Sequence, residues 1–448
     1  MLSRRAFLRS TAAFGALAAT GLSRPFGARA ASTWESPRSI DNAGRQNASL
    51  ALTEWLATTG QDGDVFRLRR GPGYAPGAYW IPQGVAIRRP MQLDLNGCWL
   101  YTGPGDGSDR PPLSLAEITL PEAIRMGSGS KYVLASFGKW HLSGGDSDPN
   151  RQGWSHYAGS RPGLGAVPDY FSWPKTVDGT TRTTTTYATT DTVNEAVATI
   201  DKAKKENKPY FLWVAFNAPH DPFHKPPNSL HSKDSLPATG ASNRAYFDAR
   251  VEAMDTEIGR LLNAVGDLSQ TTVIFVGDNG TTGSVIAAPY PKGKDKGTMY
   301  QGGVHVPLLV AGAGVASPNR IATALVNTTD LFPTILQLAA IEPTAVLPPG
   351  TKTDGVSLLP YIENRAHPQR RAWIYAEYFP NRYDARWQRA IRDGRYKLIT
   401  RADGTREFYD LSTDALESQN LLLGTLTSTQ RQALSKLEQR LGALLATR

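Results

Sequence analysis

Four short runs hold most of the side chains that could do chemistry. Gly138-Lys139-Trp140-His141-Leu142 follows a strand-like stretch from Lys131 to Ser136, and Asn217-Ala218-Pro219-His220-Asp221-Pro222 follows Tyr210 to Phe216. Gly277-Asp278-Asn279-Gly280 follows Thr272 to Val276. Lys296-Gly297-Thr298 and Gln301-Gly302-Gly303-Val304-His305 lead into a fourth apolar stretch, Val306 to Val310. Open α/β sheets bind their ligands beyond the carboxyl ends of the strands. Lysines, histidines and an Asp-Asn pair gathered there mark that edge as the candidate site. Any single lysine or histidine at a strand end also fits a solvated loop, so the weight lies on four runs in this order.

The elements that must position these runs alternate strand with helix. Continuous apolar strands imply a sheet covered on both faces, hence α/β. Phe247, Val251, Met254, Ile258, Leu261 and Val265 recur at helical spacing. Thr329 to Ala340 forms another helix, with Pro333 tolerable in its first turn. The last helix opens on a capping box, Thr427 with Gln430, and offers Leu434, Leu437, Leu441 and Leu444 for burial. Thr180 to Thr192 reads as loop plus strand edge. The chain has 448 residues, 40% apolar and 20% charged, with 42 glycines and 31 prolines, which excludes a coiled coil, a collagen and a wholly disordered chain. Its one cysteine, Cys98, excludes a disulfide framework and a multi-cysteine metal site.

Residues 1–30 resemble a twin-arginine export signal. Ser3-Arg4-Arg5-Ala6-Phe7-Leu8 leads into an alanine-rich run from Ser10 to Leu22 and closes on Ala28-Arg29-Ala30. That resemblance implies the twin-arginine export machinery as a partner, cleavage after Ala30 and a periplasmic or secreted protein. The apolar run falls short of the ~20 residues of a membrane span, and no later stretch reaches that length. Removing the five arginines of this segment lowers the formal charge from +9 to +4, too little to argue for nucleic acid. Residues 31–112 form a β-rich segment containing an amphipathic helix, Asn47 to Thr58, with Leu50, Leu52, Trp55 and Leu56 as its apolar positions. The order of that helix, Gly63-Asp64-Val65-Phe66 and Leu93-Asp94-Leu95-Asn96-Gly97 is similar to the opening of a pectate-lyase-like β-helix. Such a fold needs at least ~3 stacked coils, so a free-standing sugar-binding β-helix is not expected.

From Leu113 onwards the chain resembles the sulfatase family of the alkaline-phosphatase-like superfamily. The resemblance rests on Glu117 to Ile124, Gly138 to Leu142, Lys208-Pro209-Tyr210-Phe211, Ala218-Pro219-His220, Asp278-Asn279-Gly280, Lys296-Gly297-Thr298 and Gln301 to Val304. It continues through Thr329 to Thr334, Asp354 to Leu358 and Tyr409-Asp410-Leu411. It implies a mixed sheet flanked by helices over residues 113–345 and a smaller C-terminal α+β subdomain over 346–448. It further implies that Asp278 and Asn279 are oxygen ligands of calcium, and that Lys139 and Lys296 hold the sulfate oxygens. His141 would contact the nucleophile's oxygen, and His220 would bind substrate and protonate the leaving alcohol. Gln301 and His305 stand where the family usually has Glu and Arg, and read as local variation. His224 and His231 could line the substrate mouth, and Trp140, Trp154, Trp173 and Tyr290 could stack on sugar or aryl groups. His156 reads as a packed or surface residue.

Two parts of the family pattern are missing. A sulfatase opens with a strand ending in two adjacent metal-binding Asp, followed by Cys-x-Pro-x-Arg or its Ser form, whose first residue becomes formylglycine. This chain contains no Asp-Asp pair, Cys98 has neither Pro nor Arg at the required offsets, and Ala316-Ser317-Pro318-Asn319-Arg320 has Ala where the nucleophile belongs. Formylglycine is therefore not expected at either of these two runs. Neither Asp94 nor Asp106 is at the spacing to replace a ligand, and nothing near Cys98 would activate its thiol. One Asp and one Asn supply a single formal charge to a cation that takes ~6–8 oxygens, while the lysines remain. The missing strand is internal to the family's sheet, and Met91 to Leu95 is the candidate to fill the gap. Three readings follow: an impaired or reconstituted sulfuric ester hydrolase, a non-catalytic binder of a sulfated small molecule or glycan, or a truncated or recombined reading frame.

Overall fold

The computed structural model describes residues 33–37, 43–59, 65–68, 78–80, 92–94, 99–101, 113, 117–142, 145–161, 167–351, 353–364, 367–378 and 387–446. The twin-arginine segment, Cys98 and Asp106 lie outside these residues. Two compact units result. One holds Leu113–Lys296 and His305–Ala372; the other holds Gly297–Val304, the chain from Trp373 onwards and the described residues before Leu113.

The N-terminal residues form two parallel ladders. β1 (Thr33–Glu35) pairs with β3 (Val65–Arg67) and β3 with β5 (Gln92–Asp94), while β2 (Ala43–Asn47), β4 (Ala78–Trp80) and β6 (Trp99–Tyr101) make the other. The odd-numbered strands share one ladder and the even-numbered strands the other. The helix α1 (Ser49–Thr58) buries Leu52, Trp55 and Leu56, with the Trp55 ring edge-on to Phe66 at 5.3 Å. β5 is thus part of an N-terminal ladder, which corrects the expectation that Met91 to Leu95 completes the main sheet.

In the first unit, α2 (Leu120–Ser128) starts on a capping box in which the Thr119 N–H donates to Glu122 at 2.9 Å and the Glu122 N–H to Thr119 at 3.4 Å. Then follow β7 (Val133–Lys139), β8 (His156–Ser160), β9 (Trp173–Val177), β10 (Thr180–Thr184), α3 (Ala188–Lys205) and β11 (Tyr210–Ala215). They form a mixed sheet in the order β10-β9-β8-β7-β11, parallel from β8 through β7 to β11 and antiparallel from β8 to β10. The threonine-rich stretch therefore divides between edge strand β10 and the first turn of α3. α4 (Asn243–Val265) leads to a separate antiparallel ladder, β12 (Thr272–Val276) with β13 (Leu308–Gly312), and α5 (Leu331–Leu338) follows.

Helices cover both faces. Ala196 of α3 and Leu261 of α4 pack on Phe137, Leu212 and Val214. On the other face α2 and α5 pack on Leu134 and Phe211. Coverage is incomplete at β11, β12 and β13, whose residues are half-buried, with Trp213 42%, Phe275 36% and Leu309 59% exposed. Strands expected to be buried on both faces are therefore open on part of their surface. α4 also departs from its apolar stripe. Its fully buried residues include Tyr246, Ala249, Arg250, Ala253 and Glu257, whereas Val251 is exposed. The two charged residues can sit inside because each has internal partners: carbonyls for Arg250, and for Glu257 the Thr190 hydroxyl at 2.5 Å and Arg260 at 2.7 Å.

The second unit carries the antiparallel meander β14 (Ile374–Tyr378), β15 (Gln388–Arg392), β16 (Tyr396–Arg401) and β17 (Arg406–Asp410). α6 (Ser428–Ala446) lays Leu437 and Leu441 on Ile391, Leu398 and Phe408, and its capping box forms as the sequence indicates, with the Thr427 N–H donating to Gln430 at 2.8 Å. On the opposite face of this sheet, Lys397 and Glu417 are paired at 2.6 Å, almost without solvent, and Lys397 also donates to Gln301 Oε1 at 3.2 Å.

Candidate active site

The carboxyl end of the five-stranded sheet is drawn tightly together. β7 ends at Lys139, in register with Ser160 of β8, and Gly138 is in register with Ala215 of β11. Gly138 has φ +87°, and a Cβ there would lie 2.1 Å from the Ala215 carbonyl oxygen; a Cβ on Gly159 would lie 1.8 Å from that of Gly138. Only glycine permits three backbones this close. Ser160 Oγ then donates to Asn217 Oδ1 at 2.9 Å across the end of β7. The amide nitrogen of Asn217 is buried and has no partner among the described residues. Lys139 leaves this edge half-buried, and His141 is exposed.

The loop that carries His220 is held through its backbone. The His220 N–H donates to the Asn217 carbonyl at 3.0 Å, and its own carbonyl accepts from the Tyr170 hydroxyl at 2.9 Å. Arg250 Nη1 donates to the carbonyls of Pro219 at 3.3 Å and Pro222 at 3.2 Å, while its guanidinium lies 4.2 Å from the Tyr170 ring centroid. Nδ1 of His220 lies 2.6 Å from Asp221 Oδ1. A carboxylate at Nδ1 fixes that nitrogen as the proton carrier and leaves Nε2 to meet a reacting oxygen.

His231 is engaged inside the protein, whereas His224 is half-buried against aromatic rings. His224 packs against Tyr170, Phe171 and Tyr187 at ring distances of 4.7, 5.6 and 5.7 Å. Burial, and then the Arg250 charge, push its pKa down to about 4, so it is neutral at pH 7. His231 is buried, with Nε2 3.3 Å from the Pro226 carbonyl and Nδ1 accepting from the Lys233 N–H at 3.1 Å. Trp140, Trp154 and Trp173 are core residues, and Tyr290 remains exposed. His156, at the opposite end of β8, has Nδ1 2.8 Å from Asp178 and Nε2 3.7 Å from Glu195.

Asp278 and Asn279 follow β12, the first exposed and the second half-buried. The Lys296 N–H donates to the Thr281 carbonyl at 3.0 Å, which ties the exposed Lys296 into the same loop. No group of three or more His, Cys, Asp or Glu gathers among the described residues. Calcium binds through ~6–8 oxygens with affinity set by their charge. Asp278 and Asn279 do not amount to such a donor set, so the expected calcium site is not furnished by these residues.

Lysine and histidine at the carboxyl edge of a mixed, helix-flanked sheet, followed by a separate β-meander with a terminal helix, define the alkaline-phosphatase-like class of α/β proteins. Within it the chain belongs to the sulfatase family: the Sulfatase model matches residues 112–341, and the model for the C-terminal part of N-sulphoglucosamine sulphohydrolase matches residues 293–446. The uncharacterised sulfatase YdeN of Escherichia coli is 28% identical over 344 residues, covering 68% of this chain and 58% of that protein. A sulfatase of Formosa agariphila is 30% identical over 268 residues, covering 52% and 46%. Human arylsulfatase A is 26% identical over 431 residues, covering 82% and 78%. The chain thus spans about half the length of the two bacterial relatives. Among solved structures, Ps i-CgsB in complex with k-i-k-neocarrahexaose superposes with a TM-score of 0.61 at 21% identity, covering 76% of this chain and 77% of that one. A protein solved with its substrate D-glucosamine-2-N,6-O-disulfate superposes with a TM-score of 0.56 at 20% identity, covering 75% and 82%. No helix among the described residues is long and apolar enough to cross a membrane.

Sequence reasoning gave no role to Asn217, Ser160, Tyr170 or Arg250. Asn217 stood in a quoted run at a strand end, which was a usable signal. Arg250 lies beside the apolar stripe of its helix, and nothing in the periodicity distinguishes it from a solvated charge. Tyr170 and Ser160 join the site only through tertiary pairing.

Proposed function

We propose that this chain forms the anion-recognising and proton-donating part of a sulfatase-type site for sulfate monoesters, and that with the residues it carries it does not hydrolyse them. The observation that carries this reading is that Lys139 closes β7 while the Asn217 amide, without a partner among the described residues, and the Asp221-oriented His220 follow its parallel neighbour β11 at the same end. Lys139, together with Lys296, would hold the sulfate oxygens, and a buried amide N–H would supply a neutral donor to the same group. His220 would hand a proton from Nε2 to the leaving alcohol. His141 would stand beside the attacking group. The chain has no Cys-x-Pro-x-Arg, its Ser-x-Pro-x-Arg run, Ser147 to Arg151, lies beside Gly179 of the β9–β10 turn at the opposite end of the sheet from Lys139, and no adjacent Asp pair is present to balance the lysines. Solved neighbours that hold a neocarrahexaose and a glucosamine disulfate support a sulfated glycan as the ligand class. The arginine pair and the small-residue site at residues 28–30 support twin-arginine export to the periplasm or beyond, with cleavage after Ala30.

Titration calorimetry with inorganic sulfate and with an aryl sulfate tests the binding half. Both ligands should bind, and Lys139→Ala should weaken each at least tenfold. Equal affinity in the wild type and in Lys139→Ala would overturn the assignment of the site.

A further inference from the structure

A cluster of aromatic rings backs the His220 loop. Tyr170, whose hydroxyl holds the His220 carbonyl, has its ring 4.7 Å from that of His224. His224 in turn secures the loop two residues further on, with Nδ1 2.8 Å from the Pro222 carbonyl and Nε2 3.2 Å from the Tyr187 hydroxyl. Phe171 completes the cluster, its ring 5.0 Å from Tyr187 and 5.6 Å from His224. Tyr170 and Tyr187 are buried, whereas Phe171 keeps 41% of its surface exposed. A single exposed apolar side chain is ordinary on a protein surface. Its place in the sheet and its support set Phe171 apart.

The strand register gives the place. Ser160 of β8 is in register with Lys139, and the preceding Gly159 pairs with Thr176 of the antiparallel β9. β9 therefore enters the sheet at the edge where β7 leaves it. Phe171 stands two residues before Trp173, the first residue of β9, and so lies beyond the edge that also carries Lys139 and the His220 loop. Its backbone is held as firmly as its ring: the Phe171 N–H donates to Asp169 Oδ1 at 2.8 Å, and the Ser172 N–H to the Asp169 carbonyl at 3.2 Å. A carboxylate offers about four acceptor positions, more than this turn uses, and Asp169 is exposed.

An open aromatic face beside a carboxylate suits a pyranose, which turns an apolar C–H face to the ring and hydroxyls to the carboxylate. The same carboxylate repels a second sulfate. We infer that Phe171 and Asp169 form a subsite for an uncharged pyranose ring of the sulfated ligand, stacked on Phe171 and donating a hydroxyl to Asp169. Trp140, Trp154 and Trp173, expected to stack on sugar, are core residues, and that task falls to Phe171. The inference rests on the reading above, that Lys139 and the His220 loop receive a sulfate ester, and it assigns the part of the ligand that the anion-holding groups do not touch.

Calorimetry on the full-length mature chain separates ring from sulfate with two probes, methyl sulfate and a monosulfated galactose disaccharide. The disaccharide should bind at least about fivefold more tightly than methyl sulfate. Phe171→Ala should remove that advantage and leave methyl sulfate affinity unchanged, and Phe171→Trp should keep the advantage. Asp169→Asn, which preserves the turn, should reduce it about threefold. Equal affinity of the wild type for the two probes, or a disaccharide affinity that Phe171→Ala or Asp169→Asn leaves unchanged, would overturn the inference. So would a parallel loss for both probes in Phe171→Ala, because Phe171 would then act on the His220 loop and not on a sugar. Lys139→Ala reports separately: it should weaken both probes together, and if it weakens neither, the anion site fails while the contrast between the probes still judges Phe171.

Discussion

Arg250 offers a test of how the His220 loop is held. Its guanidinium has no solvent exposure, donates to the carbonyls of Pro219 and Pro222 at 3.3 and 3.2 Å, and lies over Tyr170 at 4.2 Å. Each hydrogen bond from a charged donor contributes about 1.5–3 kcal/mol, and these are long, so the lower figure applies. A desolvated cation–π contact adds about 2 kcal/mol. Against this stand Nε and Nη2, buried without partners among the described residues, at about 1 kcal/mol or more apiece. Arg250→Met keeps the stem, removes the buried charge and leaves the two carbonyls unpaired. The expected net loss is about 2–4 kcal/mol, which lowers Tm by roughly 5–12 °C for a unit of this size. Tyr170, whose hydroxyl holds the His220 carbonyl, loses its stacking partner in the same change. Sulfate affinity should therefore fall several-fold, whereas the equally buried Ile391→Val in the other unit should leave it unchanged. Wild-type sulfate affinity in Arg250→Met, with a stability change under 0.5 kcal/mol, would refute this account of the loop.

Three further outcomes follow from local geometry. His156 is raised above its usual 6.5, chiefly by Glu195, and Glu195 is held down to about 2, chiefly by His156 and then, against burial, by Lys175. Glu195 therefore stabilises above pH 4.5 and fails as pH falls towards 2; His156 stabilises below 6.5 and fails as pH rises through its raised value. His156→Gln should cost about 1–3 kcal/mol near pH 5.5 and clearly less at pH 8.5, read from urea midpoints across pH; a flat difference would count against the pair. Asp330, fully buried, accepts from the Asn327 and Val356 N–H groups at 2.8 Å and pairs with Arg371, so Asp330→Ala should cost about 3–5 kcal/mol in denaturant unfolding. Gly138→Ala should cost at least about 4 kcal/mol because its Cβ meets a backbone oxygen, whereas Gly129→Ala, with φ +62° and nothing within 4 Å, should cost about 1 kcal/mol. Similar losses at the two glycines would mean that β7 and β11 are not packed as described.

What could be read from the residues and what could not divides along physical lines. The alternation of strand and helix, the motif order and the capping box of α6 are local, and the residues state them directly. Lys139 and His220 could be placed at strand ends because each closes a local apolar run, and the two strands do pair in parallel, Gly138 opposite Ala215. Met254, Leu261 and Val265 pack inside as their spacing indicates, but periodicity weighs hydrophobicity and cannot see that Glu257 and Arg250 find partners inside while Val251 is exposed. His231 could equally have been a mouth residue on its sequence position, and only the fold shows it buried against the Pro226 carbonyl. The half-burial of β11 to β13 could not be read from their composition, since an apolar run says what a strand needs and not whether the covering elements are present. The absence of an adjacent Asp pair is a plain reading of the residues.

The most direct test of the central claim is turnover of a fluorogenic aryl sulfate by the purified mature chain alone, with and without added calcium. The account predicts binding of the ester with no hydrolysis above the uncatalysed rate in either condition. Sustained hydrolysis that disappears in Lys139→Ala and His220→Ala would show that the chain holds its own nucleophile, and would contradict the claim.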